Sequence, residues 1–132
     1  MYGHFHKIIR RMLINLSNHP SPNWPSQQLA AAQVYGKIID LPFPDINPSG
    51  DEEYIQSLAS EYIDMINNYQ LSTVNCQLSV HIMGEMTFTF AMVNALQNRN
   101  ITCVASTTER ISSEESGVKT SEFRFVQFRE YQ

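Results

Sequence analysis

The sequence has little cysteine and no long apolar run, and both shortages exclude classes of protein. The two cysteines, Cys76 and Cys103, lie in or beside predicted buried strands and are too few for a small secreted disulfide scaffold. We therefore expect reduced thiols in a cytoplasmic protein. No run approaches the roughly 18 uncharged apolar residues of a membrane span, and no convincing secretory signal precedes the first predicted strand.

Basic residues are also scarce, and they are unevenly placed along the chain. The sequence has nine Lys and Arg against thirteen Asp and Glu, and the segment from Asp40 to Glu85 holds eight of the acids and no cation. Since non-specific phosphate binding needs a broad basic face, this distribution argues against DNA as a partner. A small anionic ligand held by a few placed groups remains compatible with it.

Several short motifs with known chemistry are absent. The sequence contains no G-x-G-x-x-G, no Walker A, no G-x-S-x-G and no Cys-x-x-Cys, and no cluster has metal-ligand spacing. The loop after the first strand also has the wrong length and too many prolines for a flavin site. We therefore expect neither a bound cofactor nor a metal.

The chain of 132 residues is long enough for one domain with a real core. Residues 1–11 show no clear period and are interpreted as a flexible extension or a tag. Residues 12–132 are interpreted as a single α/β domain.

A strand-helix-strand unit from Val80 to Arg110 organises the prediction. An apolar run ends at Met83, a helical pattern follows for which Thr87 is a candidate N-cap, and residues 101–105 form a second apolar run. A unit of this length normally makes two parallel neighbouring strands with a right-handed crossover. Its helix is apolar nearly all round, which predicts that it also packs against a partner, most simply a two-fold copy of the chain.

The remaining patterns predict a small three-layer, Rossmann-like α/β sheet. Its order is 2-1-3-4-5, mostly parallel, with an antiparallel last strand. The other predicted elements are a strand at 12–16, a helix capped by Ser26 and running to 35, a strand at 37–41, a helix capped by Asp51, a strand at 76–83 and a strand at 122–131. Residues 111–120 are predicted to be an exposed hairpin tip.

Three polar clusters fall at the carboxyl ends of these strands, where open α/β sheets bind ligands. The first is Ser17, Asn18 and His19, followed by Trp24. His19 is a candidate acid or base near neutral pH, or it fixes the proline-rich loop, and Asn18 has the same two readings. Trp24 either stacks on a nucleobase or covers the core.

The second cluster is Gly84, Glu85, Met86 and Thr87. Gly84 allows a ligand to approach the helix start closely, and the N–H groups of the next three residues form a natural anion site. Thr87 alternatively does no more than cap its helix.

The third cluster is Thr107, Thr108, Glu109 and Arg110, after Ser106. Arg110 either clamps a phosphate with its fork of donors or pairs with Glu109 on the surface of the hairpin. His81, in the middle of a strand, is interpreted as a satisfied core histidine.

Four stretches, LINLSNHP, HIMGEMTFTFAMVNAL, CVASTTER and FRFVQFREY, resemble the small stand-alone CRISPR-associated proteins with a CARF-like Rossmann fold, the ring nucleases of antiviral defence. The resemblance covers most of the chain from Met12 onward. It implies a homodimer that holds a cyclic oligoadenylate, a small cyclic RNA, across its two-fold axis. It also implies cleavage by attack of a ribose 2′-hydroxyl on the neighbouring phosphate without a metal. The residues at the matching positions are Ser17 to His19, Gly84 to Thr87 and Thr107 to Arg110.

The chemistry of that reaction assigns roles to two of these residues. His19 would transfer a proton, and Arg110 would stabilise charge on the phosphate oxygens. The first hypothesis is therefore a metal-independent ring nuclease. Two alternatives stay open, which are a non-catalytic sensor or sponge for a cyclic nucleotide and a small hydrolase or transferase acting on a mononucleotide.

Overall fold

Five strands make one sheet in the computed structural model, which describes residues 9–73 and 75–132. The strands are β1 Arg10–Ser17, β2 Lys37–Asp40, β3 Cys76–Met83, β4 Thr102–Glu115 and β5 Val118–Glu130. Their order is β2-β1-β3-β4-β5, and only the β4–β5 pair is antiparallel. The predicted fold class, strand order and strand directions are confirmed.

Three helices cover the sheet, and they are α1 Ser26–Ala32, α2 Glu52–Leu71 and α3 Met86–Gln97. A single 3-10 turn, Ser21–Asn23, precedes α1. Asp51 caps α2 as predicted, because its carboxylate accepts a hydrogen bond from the backbone N–H of Tyr54 at 2.9 Å. Within the described residues, none of the helices is long and apolar enough to cross a membrane.

Alternation along the strands gives the sheet two very different faces. Met12, Ile14 and Leu16 of β1 point into the larger core under α2 and α3, together with the buried Phe88. Leu13 points to the opposite face, into a small cluster with Trp24. The larger core therefore carries most of the burial, while the second face is covered mainly by the seven-residue helix α1.

Polar side chains occupy the second face near the carboxyl ends of the central strands. Asn15 and Ser17 follow Leu13 on the same side of β1, and His81 takes the equivalent side of β3. All three are buried. Because buried polar groups need partners, this arrangement indicates a hydrogen-bond network under an incompletely covered part of the sheet.

The β4–β5 hairpin is longer than predicted. β4 pairs with β5 from Val104 to Glu115, and only Ser116 and Gly117, both at positive φ, form the turn. Residues 112–120 are exposed and contain the turn, as predicted, but all of them except Ser116 and Gly117 belong to the two strands. The sequence does not reveal these strands, because they extend past the other three strands, are exposed and carry no apolar alternation.

Three boundary predictions also need correction. β1 begins at Arg10, so residues 10 and 11 of the predicted extension belong to the sheet, while residues 1–8 lie outside the described part of the chain. Pro25 rather than Ser26 is the N-cap of α1, and that helix ends at Ala32.

Both cysteines are free, and Cys103 is buried.

Replacing Gly36 by alanine is expected to lower the free energy of unfolding by at least about 2 kcal/mol. Gly36 has φ 105°, and an added Cβ would lie 2.1 Å from the Arg11 carbonyl oxygen. Gly117→Ala is the matched control, since φ there is 79° but nothing lies within 4 Å of the added atom. Urea unfolding of both variants separates the clash from the cost of positive φ, and equal losses would contradict the clash.

Candidate functional site

A cavity of about 380 Å³ opens on the thinly covered face of the sheet. It lies between the segment that follows β1 and the β4–β5 hairpin, and its size suits one small ligand. Its polar lining includes His19, Gln28, His81, Ser106 and Thr108, and its apolar lining includes Trp24, Met83, Phe123 and Phe125.

His81 is the most unusual group in this cavity. Its side chain is 1% exposed, and its Nδ1 lies 2.8 Å from Oδ1 of Asn15. The other ring nitrogen, Nε2, is buried and has no hydrogen-bond partner. His81 is a core histidine as predicted, but the prediction that it is satisfied is wrong for Nε2. An unpaired buried nitrogen costs free energy unless something supplies a partner.

Asn15 fixes which nitrogen of His81 carries the proton. The Asn15 amide group donates to Oδ1 of Asp40 and to the His19 carbonyl oxygen, each at 2.8 Å, so its Oδ1 must face the other way. That oxygen accepts from Ser17 Oγ at 2.8 Å and faces His81. Since an amide oxygen only accepts, Nδ1 of His81 is the donor and Nε2 is left with a bare lone pair.

Burial, followed by the nearby His19, lowers the pKa of His81 from 6.5 to about 4. The ring is therefore neutral at pH 7. A neutral ring with the proton on Nδ1 presents Nε2 to a ligand as an acceptor of a hydrogen bond or of a proton.

Asp40 anchors the far end of this chain of hydrogen bonds. Burial raises the pKa of its carboxyl, but hydrogen bonds from Ser21 and Asn15 together outweigh burial and leave the pKa below its ordinary value. The carboxylate accepts from both the backbone N–H and the hydroxyl of Ser21, at 2.9 and 2.6 Å. It is therefore charged at neutral pH and orients Asn15.

Trp24 both covers the core and lines the cavity. Its indole N–H donates to the His19 carbonyl oxygen at 2.8 Å, and the side chain is 6% exposed. Its ring meets the His81 ring edge to face at 5.3 Å between centroids. The indole therefore forms a fixed wall beside the imidazole.

The first predicted cluster is divided by the structure. His19 lines the cavity and its side chain is exposed, whereas Ser17 lies buried beneath and accepts a hydrogen bond from the His19 backbone N–H at 3.2 Å. Asn18 is exposed in the same loop. Ser17 therefore positions the loop, and His19 is the member of this cluster that lines the cavity.

The second predicted cluster does not form an open anion site. The Glu85 carboxylate accepts hydrogen bonds from the Thr87 N–H, the Thr87 hydroxyl and the Phe88 N–H, so Glu85 rather than Thr87 is the N-cap of α3. A Cβ at Gly84 would lie 2.2 Å from the ring of Phe43. The predicted free N–H of Thr87 is therefore wrong, because the Glu85 carboxylate already binds it. Phe43 fills the space on one side of Gly84, but Gly84 also lines a groove of about 410 Å³, so the approach of a ligand to it stays a prediction. Met86 is 84% exposed beside the same groove.

The third predicted cluster alternates across the hairpin. Thr108 lines the cavity, and its cross-strand partner is Phe125, while Arg110 pairs with Phe123 on the same side. The Arg110 guanidinium donates to Ser121 Oγ at 3.0 Å. Arg110 therefore lies roughly 7 Å beyond Thr108 along the face that borders the cavity.

Thr107 and Glu109 take the opposite side of the hairpin. Thr107 donates its hydroxyl to the Gln127 carbonyl oxygen at 3.2 Å, and Glu109 lies opposite Arg124. The alternative in which Glu109 pairs with Arg110 is wrong, because successive side chains of a strand point to opposite faces.

Sequence reasoning missed the contribution of His81, Gln28 and Phe125 to the cavity. A signal for His81 was present, since Asn15 and Ser17 alternate with apolar residues along β1, and Gln77, Ser79 and His81 do so along β3. Such alternation predicts a polar stripe on one face of the sheet.

Replacing Glu85 by alanine is expected to lower the free energy of unfolding by about 1 kcal/mol, as the loss of other helix caps does. Glu85→Gln is the matched control, because an amide oxygen still accepts. Urea unfolding measures both variants. Inorganic phosphate is expected to stabilise Glu85→Ala but not the native protein, and equal stabilisation of both would show that the helix end is open.

No cluster of three or more His, Cys, Asp or Glu side chains in the described part of the chain is arranged to hold a metal ion. No curated protein and no solved structure matches the chain. The model of one family, described as the uncharacterized protein MJ1673 family, matches residues 11–129. Since that match spans nearly the whole sequence, the chain belongs to the MJ1673 family.

Proposed function

We propose that the protein is a ring nuclease, which binds a cyclic oligoadenylate and cleaves it without a metal. The observation that carries the proposal is the cavity that brings His19 and Trp24, from the segment after β1, together with Thr108 of β4. Recognition of a nucleotide requires an apolar wall and hydrogen-bonding groups, and transphosphorylation is helped by a histidine that can transfer a proton.

The proposed step is an in-line attack by the 2′-oxygen of one ribose on the adjacent phosphorus. The bond from phosphorus to the leaving 5′-oxygen breaks, His19 takes the 2′-hydroxyl proton, and water gives a proton to the leaving oxygen. The product is linear and ends in a 2′,3′-cyclic phosphate. Binding of the ring in one orientation would lower the barrier, since a cyclic ligand loses little freedom when it is held.

Arg110 would stabilise the charge on the phosphate oxygens. It borders the cavity on the same face as Thr108, and its present hydrogen bond is to a single exposed hydroxyl, Ser121 Oγ. A guanidinium that exchanges one serine for a phosphate gains a charge-assisted pair.

The ring would be shared by two copies of the chain. A cavity of about 380 Å³ accommodates a small ligand and not a whole ring of nucleotides, so two cavities facing one another fit such a ligand better. Phe123, which lines the cavity and is 68% exposed, offers an apolar surface for the partner copy on that side of the sheet, whereas the exposed Phe90 and Met86 belong to α3 on the opposite face. The native mass in solution, with and without ligand, tests this part of the proposal.

Incubation of the full chain with cyclic tri-, tetra- and hexa-adenylate in EDTA, followed by chromatography, tests the activity. Linear products with a 2′,3′-cyclic phosphate support the proposal. Ligand that is retained but intact overturns cleavage in favour of a sensor or sponge. If the ligand is neither retained nor cleaved, the choice of ligand is overturned and mononucleotides become the next candidates.

A further inference from the structure

We propose that Asp40 and Asn15 set the hydrogen-bonding polarity of His81, so that the cavity selects a base whose edge presents an N–H donor, such as the exocyclic amine of adenine. The inference rests on the proposed function for its class of ligand. It adds a specificity-determining group, His81, and two positioning residues that act through it.

The first step is the fixed orientation of Asn15. Its amide group has two acceptors, the Asp40 carboxylate and the His19 carbonyl oxygen, and both lie at 2.8 Å. Rotating the amide would place its oxygen against both of these oxygens and lose two hydrogen bonds. Asn15 therefore offers only an acceptor to His81.

The second step is the state of the imidazole. With Nδ1 donating to Asn15, Nε2 has no hydrogen, and it is buried without a partner. The two titratable groups that face this network are His19 and Asp40, and the nearby His19 also disfavours a charge on His81. Nε2 consequently stays an acceptor across the neutral range.

The third step is what can satisfy Nε2. Trp24, Phe125 and Met83 belong to the apolar lining of the same cavity, and the imidazole among them is 1% exposed, so it is already shielded from water. A ligand edge with an N–H then forms the missing hydrogen bond, whereas an edge without one leaves Nε2 unpaired. Sites of this kind reject the analogue that lacks the donor.

The experiment compares adenosine 5′-monophosphate with purine riboside 5′-monophosphate, which has the same ring system but no amine. Trp24 is the single tryptophan of the chain and reports binding by its fluorescence. We expect the purine nucleotide to bind at least about tenfold more weakly, since an unpaired buried acceptor carries a penalty of that order.

The exchange variant Asn15→Asp/Asp40→Asn tests the positioning residues. It keeps the net charge and a hydrogen bond between positions 15 and 40, but it places a carboxylate beside Nδ1. A carboxylate there favours the doubly protonated imidazole, in which Nε2 is a donor. We expect the preference for the adenine nucleotide to collapse to about twofold or less.

Imidazole ¹⁵N NMR of the full chain at pH 7 provides a reading that needs no ligand. His81 is expected to carry a proton on Nδ1 alone in the native protein and on both nitrogens in the exchange variant, with His81→Asn identifying its signals. A proton on Nε2 in the native protein would overturn the inference. Equal binding of the two nucleotides would overturn the selection alone, whereas binding of neither would overturn the proposed nucleotide function as well.

Discussion

His19→Ala is expected to slow cleavage of cyclic oligoadenylate by about 100- to 10,000-fold while most of the binding is kept, because this is the usual contribution of a positioned acid or base. The variant should fold. The hydrogen bonds from Asn15 and Trp24 go to the main-chain carbonyl oxygen of His19, and that oxygen is unchanged by the substitution. Single-turnover rates and a separate binding titration measure the two effects.

Arg110→Ala is expected to produce a loss of similar size, and Arg110→Lys a smaller one, because lysine keeps the charge without the fork of donors. Arg99→Ala is the matched control, since Arg99 is exposed at the far end of α3 and contacts the Ala95 carbonyl oxygen. A rate in His19→Ala or Arg110→Ala equal to that of Arg99→Ala would remove the residue from the mechanism.

Lowering the pH from 6.5 to about 4 is expected to cost the native state about 3 kcal/mol through His81, since one pKa unit corresponds to about 1.4 kcal/mol. The pKa of His81 is lower in the folded chain than in the unfolded chain. Between the two values the unfolded chain therefore binds more protons, and stability falls as the pH falls. Above pH 6.5 both states are neutral at this residue and the effect vanishes.

Urea unfolding at a series of pH values measures this slope. His81→Asn is the comparison, because it keeps a donor to Asn15 but has no group that titrates in this range. The lowered pKa values of Asp40 and Glu85 add losses only as the pH approaches and passes below their ordinary values of 3.8 and 4.5. The same slope in the native protein and in His81→Asn would contradict the burial of an unprotonated ring.

The sheet could be predicted from the sequence because its central strands and helices have strong local signals. β3 was predicted with its observed bounds, and the cap of α2 at Asp51 follows directly from residue type and position. The full length of the β4–β5 hairpin could not be predicted from the sequence, because an exposed two-stranded ribbon rich in Ser, Thr and Glu lacks the apolar alternation that marks a strand.

The site was predicted only in part, for reasons that depend on side-chain partners. The carboxyl ends of parallel strands fixed the region of His19 and Thr108. The sequence does not reveal that Glu85 turns back onto its own helix or that Phe43 covers one side of Gly84, since both depend on tertiary packing. A bulge between Thr107 and Thr108 also places Phe125 and Phe128 on one face although they are three residues apart.

The unequal covering of the two faces has a consequence for how this family can diverge. Adjacent residues of β1 and β3 have different roles. One set packs under α2 and α3, whereas in the alternate set His81 lines the cavity and Asn15 and Ser17 form the hydrogen-bond network beneath it. Substitutions at the second set change the cavity and the network beneath it while the first set keeps the chain folded. Relatives that share the hydrophobic half of this alternation can therefore keep this fold around a cavity with a different lining.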